Sequence, residues 1–228
     1  MQTIPFLSAL DFASLRTTED VASVLNELNQ HLASSPLERL QNFNKTYVII
    51  TENVQRKLKN QAFDYPGFLN NFDAQFACYY LDALRNYTLG KPVPPAWRAT
   101  FDAARDATAS PLKIMALGVN AHVNNDIPQA LQDCHADTKH KNDFMRVNSM
   151  IAESIDTVIH NLQPSSSVFS PHHQLTKAVY KPFMHAVIIW WRFAAWHNYW
   201  KLQSDIVSIK HVENRAHVIS KGAKVLPI

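Results

Sequence analysis

A chain of 228 residues, 46% hydrophobic and 18% charged, has enough apolar side chain to fold around a sizeable core and is too hydrophobic to stay disordered. The net charge of +3 is small and no Lys/Arg cluster stands out, which leaves a nucleic-acid partner without support. Its two cysteines, Cys78 and Cys134, have neither disulfide-framework nor zinc-ribbon spacing, and four glycines with few β-branched runs favour helices.

The opening residues Met1-Gln2-Thr3-Ile4-Pro5 lack the basic start and long apolar core of a secretory signal, so a cytoplasmic location is expected. Thr17, with Asp20 three residues later, predicts a capped helix with Val21, Val24, Leu25, Leu28 and Leu32 on one face. Ser35-Pro36-Leu37-Glu38 predicts a second start with serine as cap, proline in the first turn and glutamate closing a capping box. Leu40, Phe43, Tyr47, Ile50, Val54 and Leu58 then recur at helical spacing. Asp64-Tyr65-Pro66-Gly67 reads as a turn, and a helix over residues 68–88 follows. Asp73 and Asp82 lie beside its apolar face, where solvent at the edge is the ordinary expectation for each. A Pro-rich loop leads to a short helix through Trp97, Phe101 and Ala104, and Ser110-Pro111 opens the next by cap and first-turn proline.

That helix carries the most specific stretch, Gly118-Val119-Asn120-Ala121-His122-Val123-Asn124-Asn125-Asp126. In a helix, His122 and Asp126 stand one turn apart on a face that Met115 and Val119 continue. A buried imidazole beside a buried carboxylate must be hydrogen-bonded, paired or liganding something. Pro128 is expected to end or kink the helix just after Asp126. The polar residues 133–143, with His135, Asp137 and His140, read as a solvated connector.

Phe144, Val147, Ile151, Ile155, Val158 and Leu162 mark a further helix, with Asn148 inside the stripe. Residues 164–171 form a Ser-rich loop. Residues 183–200 are about as long as a membrane span, but they contain His185, Arg192, His197 and Asn198 and are expected to form a buried core helix, not a transmembrane one. Ile206, Ile209, Val212, Ala216 and Ile219 predict a last helix with Gly222 as its cap. Together these signals predict an all-α fold, a single-domain bundle of about seven to nine helices over residues 1–228.

Arg192 sits in the most apolar part of the chain and keeps its proton, so an acidic partner is expected from Asp126, Asp73, Asp82 or Asp156. Trp196, one turn on, can stack on its guanidinium. The leading expectation is a small-molecule enzyme. His122 would move a proton, Asp126 orient it, and Arg192 clamp an anionic or carbonyl group. Asn120, Asn148, Asp73 and Trp196 would complete the ligand site. One alternative is a non-catalytic binding or interaction module whose polar network only specifies packing. Another is a metal-dependent hydrolase using His122 and Asp126 with Asp156, His160 and His185; its His-x-x-x-Asp step resembles the all-helical zinc-dependent phospholipase and nuclease class. The following Gln/Pro/His pattern of that class is only partly echoed by Ile127-Pro128-Gln129.

Several stretches together resemble one uncharacterised, mainly bacterial family of all-helical proteins, a domain of unknown function. They are Phe76-Ala77-Cys78-Tyr79-Tyr80-Leu81-Asp82-Ala83, Trp97-Arg98-Ala99-Thr100-Phe101-Asp102-Ala103-Ala104, and the Asn-Ala-His-x-Asn-x-Asp core ending at Asp126. Asp143-Phe144 with Asn148, and Arg192-Phe193-Ala194-Ala195-Trp196, complete the series. The resemblance runs over roughly residues 40–220 and implies a helical domain with its signature around His122; it implies no activity or cofactor. Ile127-Pro128 departs from the family's Leu-rich continuation.

Overall fold

Helix starts in the chain are set by local side-chain chemistry, and most are where the sequence places them. The computed structural model describes residues 3–161 and 172–225, and their side chains up to residue 157 and from 185 to 222. In chain order come α1 (Pro5–Ala9), α2 (Thr18–Ala33), α3 (Gln41–Lys59), α4 (Pro66–Thr88), α5 (Pro95–Arg105), α6 (Pro111–Asn120), a π-helical turn (Ala121–Asp126), α7 (Ile127–Asp133), α8 (Lys141–Asn161), α9 (His172–Gln203) and α10 (Ile209–Val225). The fold is all-α, with no strand among the described residues.

Thr17 and Asp20 close the expected capping box on α2: the Asp20 amide donates to Thr17 Oγ1 at 3.2 Å and the Thr17 amide to Asp20 Oδ2 at 2.9 Å. Ser110 caps α6 by accepting from the Lys113 amide at 3.1 Å. The box expected at Ser35 does not form. The Ser35 hydroxyl donates to the Leu32 carbonyl at the end of α2 and accepts from the Leu37 amide, so it is spent before Glu38. A 3-10 turn at Glu38–Leu40 intervenes and α3 begins at Gln41. The turn expected at residues 64–67 is already the start of α4. Its cap comes from across the fold, because the fully buried Asp143 carboxylate accepts from the amides of Asp64 (3.1 Å) and Tyr65 (2.6 Å). A carboxylate placed there also complements the positive end of the helix dipole.

The connector after α7 is partly ordered by its own histidine: His140 Nδ1 accepts from the Asp137 amide at 3.0 Å, and its ring stacks on Phe68 at 4.1 Å. The long apolar helix is α9, which continues through Pro182. The expectation of a wholly buried helix there needs correction. Trp190 is 60% and Phe193 46% exposed, while Ala195, Trp196 and Tyr199 are buried, so one side faces out. No described helix is long and apolar enough to cross a membrane. In the tail, Val212 and Ala216 face the core as expected, but Ile206 precedes α10 at 71% exposure and Gly222 lies inside the helix instead of capping it. The Ser-rich loop at 164–171, the stripe positions Val158 and Leu162, and His160 as a side chain lie outside the described residues.

The middle of the molecule is the junction of α6 and α7. The π turn there packs against α4, α5, α9 and α10 at once, while α3 lies along α2, α6 and α8. Gly118, one turn before it, is where the α3 side chain Phe43 makes its closest approach. A Cβ at that position would meet the Phe43 ring at 2.6 Å.

Candidate functional site

Pro128 explains the shape of the centre. In an unbroken α-helix it has no N–H to give the carbonyl four residues back, and its ring would clash there. Pro128 does not stop the helix; a π turn over Ala121–Asp126 widens the ladder immediately before it, and α7 carries Pro128 in its first turn. All six residues of that turn are buried.

Within it His122 Nδ1 lies 3.1 Å from Asp126 Oδ2. Asp126 is further held by Trp97 Nε1, which donates to both carboxyl oxygens at 3.1 Å, and by Asn125 Nδ2 at 2.8 Å. With three contacts already made by N–H donors, the hydrogen between the pair belongs on His122 Nδ1. Nε2 is then an acceptor. Burial lowers the His122 pKa below the usual histidine range, the Asp126 contact opposes this, and the Arg192 charge adds to it. Burial raises the Asp126 carboxyl, against the pull of His122, Asn125 and Trp97. The imidazole is therefore a neutral base at neutral pH. It is clamped face to face on Phe76, with ring centroids 3.5 Å apart, and meets the Tyr47 ring at 4.5 Å.

His122 forms part of the wall of a cavity of about 180 Å³ lying among α3, α4, α6, α8 and α9. Most of the wall is aliphatic and aromatic. Four polar atoms on its residues are sealed from solvent and have no hydrogen-bond partner among the described residues: Tyr47 Oη, Thr51 Oγ1, Asp73 Oδ2 and His122 Nε2. Asp73 is thus not the solvated edge residue its position suggests, and burial pushes its carboxyl up to about 7. Asp82 does sit at an edge, half-buried and bound to Arg85 and Asn86.

Arg192 reaches the same cavity from α9 and is 4% exposed. The acidic partner expected for it is not there: none of the ion pairs among the described residues includes Arg192. Residues 158–184 contain no Asp or Glu that could substitute. Instead Nε donates to Asn148 Oδ1 at 2.6 Å and Nη2 to the Phe144 carbonyl at 2.7 Å. The guanidinium lies over the Phe144 ring at 4.2 Å, the place expected for Trp196, which is turned instead to Phe144, Tyr199 and Trp200. Burial brings Arg192 down to about 9, still charged at neutral pH.

The structure thus brings His122, Asp73 and Arg192 to one cavity, with Asp126 behind His122 and Asn148 behind Arg192. Asn120 is elsewhere: its Nδ2 donates to the Ala216 carbonyl (2.8 Å) and Ser220 Oγ (2.9 Å), and its Oδ1 accepts from Asn124 (3.1 Å), tying the π turn to α10. Tyr47 and Thr51 are the site residues that sequence reasoning misses. Their one signal is two hydroxyls a single turn apart on a core-facing helix. No three His, Cys, Asp or Glu side chains among the described residues come together to hold a metal ion. Both thiols are pushed up by burial, Cys78 to about 11 and Cys134 to about 12, and neither is a ready nucleophile.

Fold and centre together define an all-helical protein whose His–Asp pair backs onto an internal cavity. The chain belongs to a family of unknown function (DUF5995), which matches residues 18–226. Among curated proteins and among solved structures nothing matches it.

Proposed function

We propose that the protein is an enzyme acting on a small, mainly apolar molecule with an anionic or carbonyl group. His122 is the proton carrier, Asp126 its orienting partner and Arg192 the charge clamp. One observation carries this reading: the His122 ring, in the wall of a cavity that Arg192 also lines, is fixed through Nδ1 to Asp126, and its Nε2 has no partner among the described residues. A neutral Nε2 takes a proton from the substrate and becomes part of an imidazolium, whose charge Asp126 offsets. The negative charge left on the substrate oxygen falls to Arg192. Returning the proton to the product restores His122.

Activity governed by a base of lowered pKa rises with pH through that value and is then flat. A readout that does not require the substrate to be named is exchange of carbon-bound protons next to a carbonyl, followed by proton NMR in D₂O over a panel of small ketones and carboxylic acids. The expected result is protein-dependent exchange that disappears in His122→Gln and falls at least a hundredfold in Asp126→Asn. Binding without exchange of any panel member defeats the catalytic reading.

The predominantly apolar wall favours one second reading, a binding protein that only holds its ligand. Under it His122→Gln lowers the melting temperature and leaves ligand affinity unchanged.

A further inference from the structure

The cavity's chemistry narrows its ligand beyond the reading above, on which this inference rests. Arg192 is a nearly buried cation met, among the described residues, by neutral oxygens and an aromatic face. Its Nη1 makes no hydrogen bond among the described residues. A buried charge with no counter-charge is costly, and an anion supplied by the ligand relieves that cost. The neighbouring Asp73 is raised by burial and forms no ion pair with Arg192 among the described residues.

Size is the second constraint. An apolar cavity of about 150 Å³ accepts benzene. The 180 Å³ here takes a benzene-sized or branched body with a short polar arm. Polar atoms away from the guanidinium are the third constraint. Tyr47 Oη and Thr51 Oγ1 belong to residues 6% and 1% exposed, and with Asp73 Oδ2 they lack partners among the described residues. Two hydroxyls and a carboxyl suit a ligand hydroxyl, which donates and accepts in turn.

We infer that the cavity binds a compact hydroxylated monocarboxylic acid with an aromatic or branched apolar body. Its carboxylate sits on Arg192 and its hydroxyl on the Tyr47, Thr51 and Asp73 group.

Isothermal titration calorimetry of the purified full chain with phenylacetate, phenylacetamide, 4-hydroxyphenylacetate, mandelate and palmitate tests this. Phenylacetate should bind at least tenfold tighter than its amide, and at least one of the two hydroxylated acids at least threefold tighter than phenylacetate. Arg192→Met should erase the preference for acid over amide, and Thr51→Val should erase the gain from the hydroxyl. Because the wild-type comparison needs no variant, a misfolded substitution does not spare the inference. It is overturned if the amide binds as well as the acid, if neither hydroxyl adds affinity, if palmitate binds best, or if none of the compact acids binds. Failure of the catalytic reading looks different: the acids bind as described and His122→Gln leaves both affinity and proton exchange unaltered. Exchange of neutral ketones without acid binding overturns the ligand class and leaves the catalytic reading standing.

Discussion

Two groups of buried polar side chains, drawn from several helices, meet at the π turn and differ in what they bond to. On one side, Asn120, Asn124 and Ser220 bond to one another and to the Ala216 carbonyl, while Trp97 and Asn125 bond to Asp126. Each of those N–H groups has an acceptor inside the protein, while Asn124 Oδ1 and Asn125 Oδ1 are buried without a partner among the described residues. On the other side, among residues of the cavity wall, Tyr47, Thr51, Asp73 and His122 each hold a polar atom sealed from solvent with no partner among the described residues. Burying such an atom without a partner costs about 1–3 kcal/mol.

The sharpest way to break that contrast is Asp126→Ala. It strands the N–H groups of Trp97, Asn125 and His122 in the core, at a cost of about 3–5 kcal/mol. For a chain of this length calorimetry should show the melting temperature falling by about 10 °C. Gly118→Ala comes next. Its Cβ would stand 2.6 Å from the Phe43 ring, forcing that ring off its place at the edge of His122. A loss of about 1–3 kcal/mol in urea unfolding is expected; an unchanged midpoint would mean that Phe43 moves freely.

The smallest effect has the opposite sign. Asp73 is raised from 3.8 to about 7, so between these values the folded state binds more protons than the unfolded one. Its contribution to stability is complete below about pH 4 and is lost as pH rises through 7. Asp73→Asn should flatten this part of the stability–pH profile and leave the variant more stable by about 2 kcal/mol at pH 8. A variant less stable than wild type at pH 8 would place Asp73 among the satisfied groups instead.

What the sequence makes legible is what is decided locally. Thr17 and Asp20, Ser110 and Pro111, and the stripe through Trp97 and Phe101 need only their immediate neighbours, and each element starts where its residues place it. Ser35 fails as a cap because the end of α2 competes for its hydroxyl. Asp143 is invisible as a cap because the amides it holds are about eighty positions away in the chain. The His122–Asp126 contact is readable from spacing alone. That Arg192 needs compensation is also readable, but its settling for Asn148 and a carbonyl depends on how α8 and α9 meet. Tyr47 and Thr51 look like ordinary core positions, and no periodicity tells a wall from a packed interior.

The π turn also acts as a phase break. One residue beyond the regular repeat rotates everything after it by about 100°. The rod made by α6 and α7 therefore shows its apolar side to α3 and α5 before the turn and to α4 and α9 after it. A single uninterrupted helix has one stripe and cannot serve both sets of neighbours. Deleting one residue from this turn would restore the regular repeat and misdirect α7 by about 100°. In this stretch length is more constrained than identity, and a one-residue gap should be rarer here than a change of side chain.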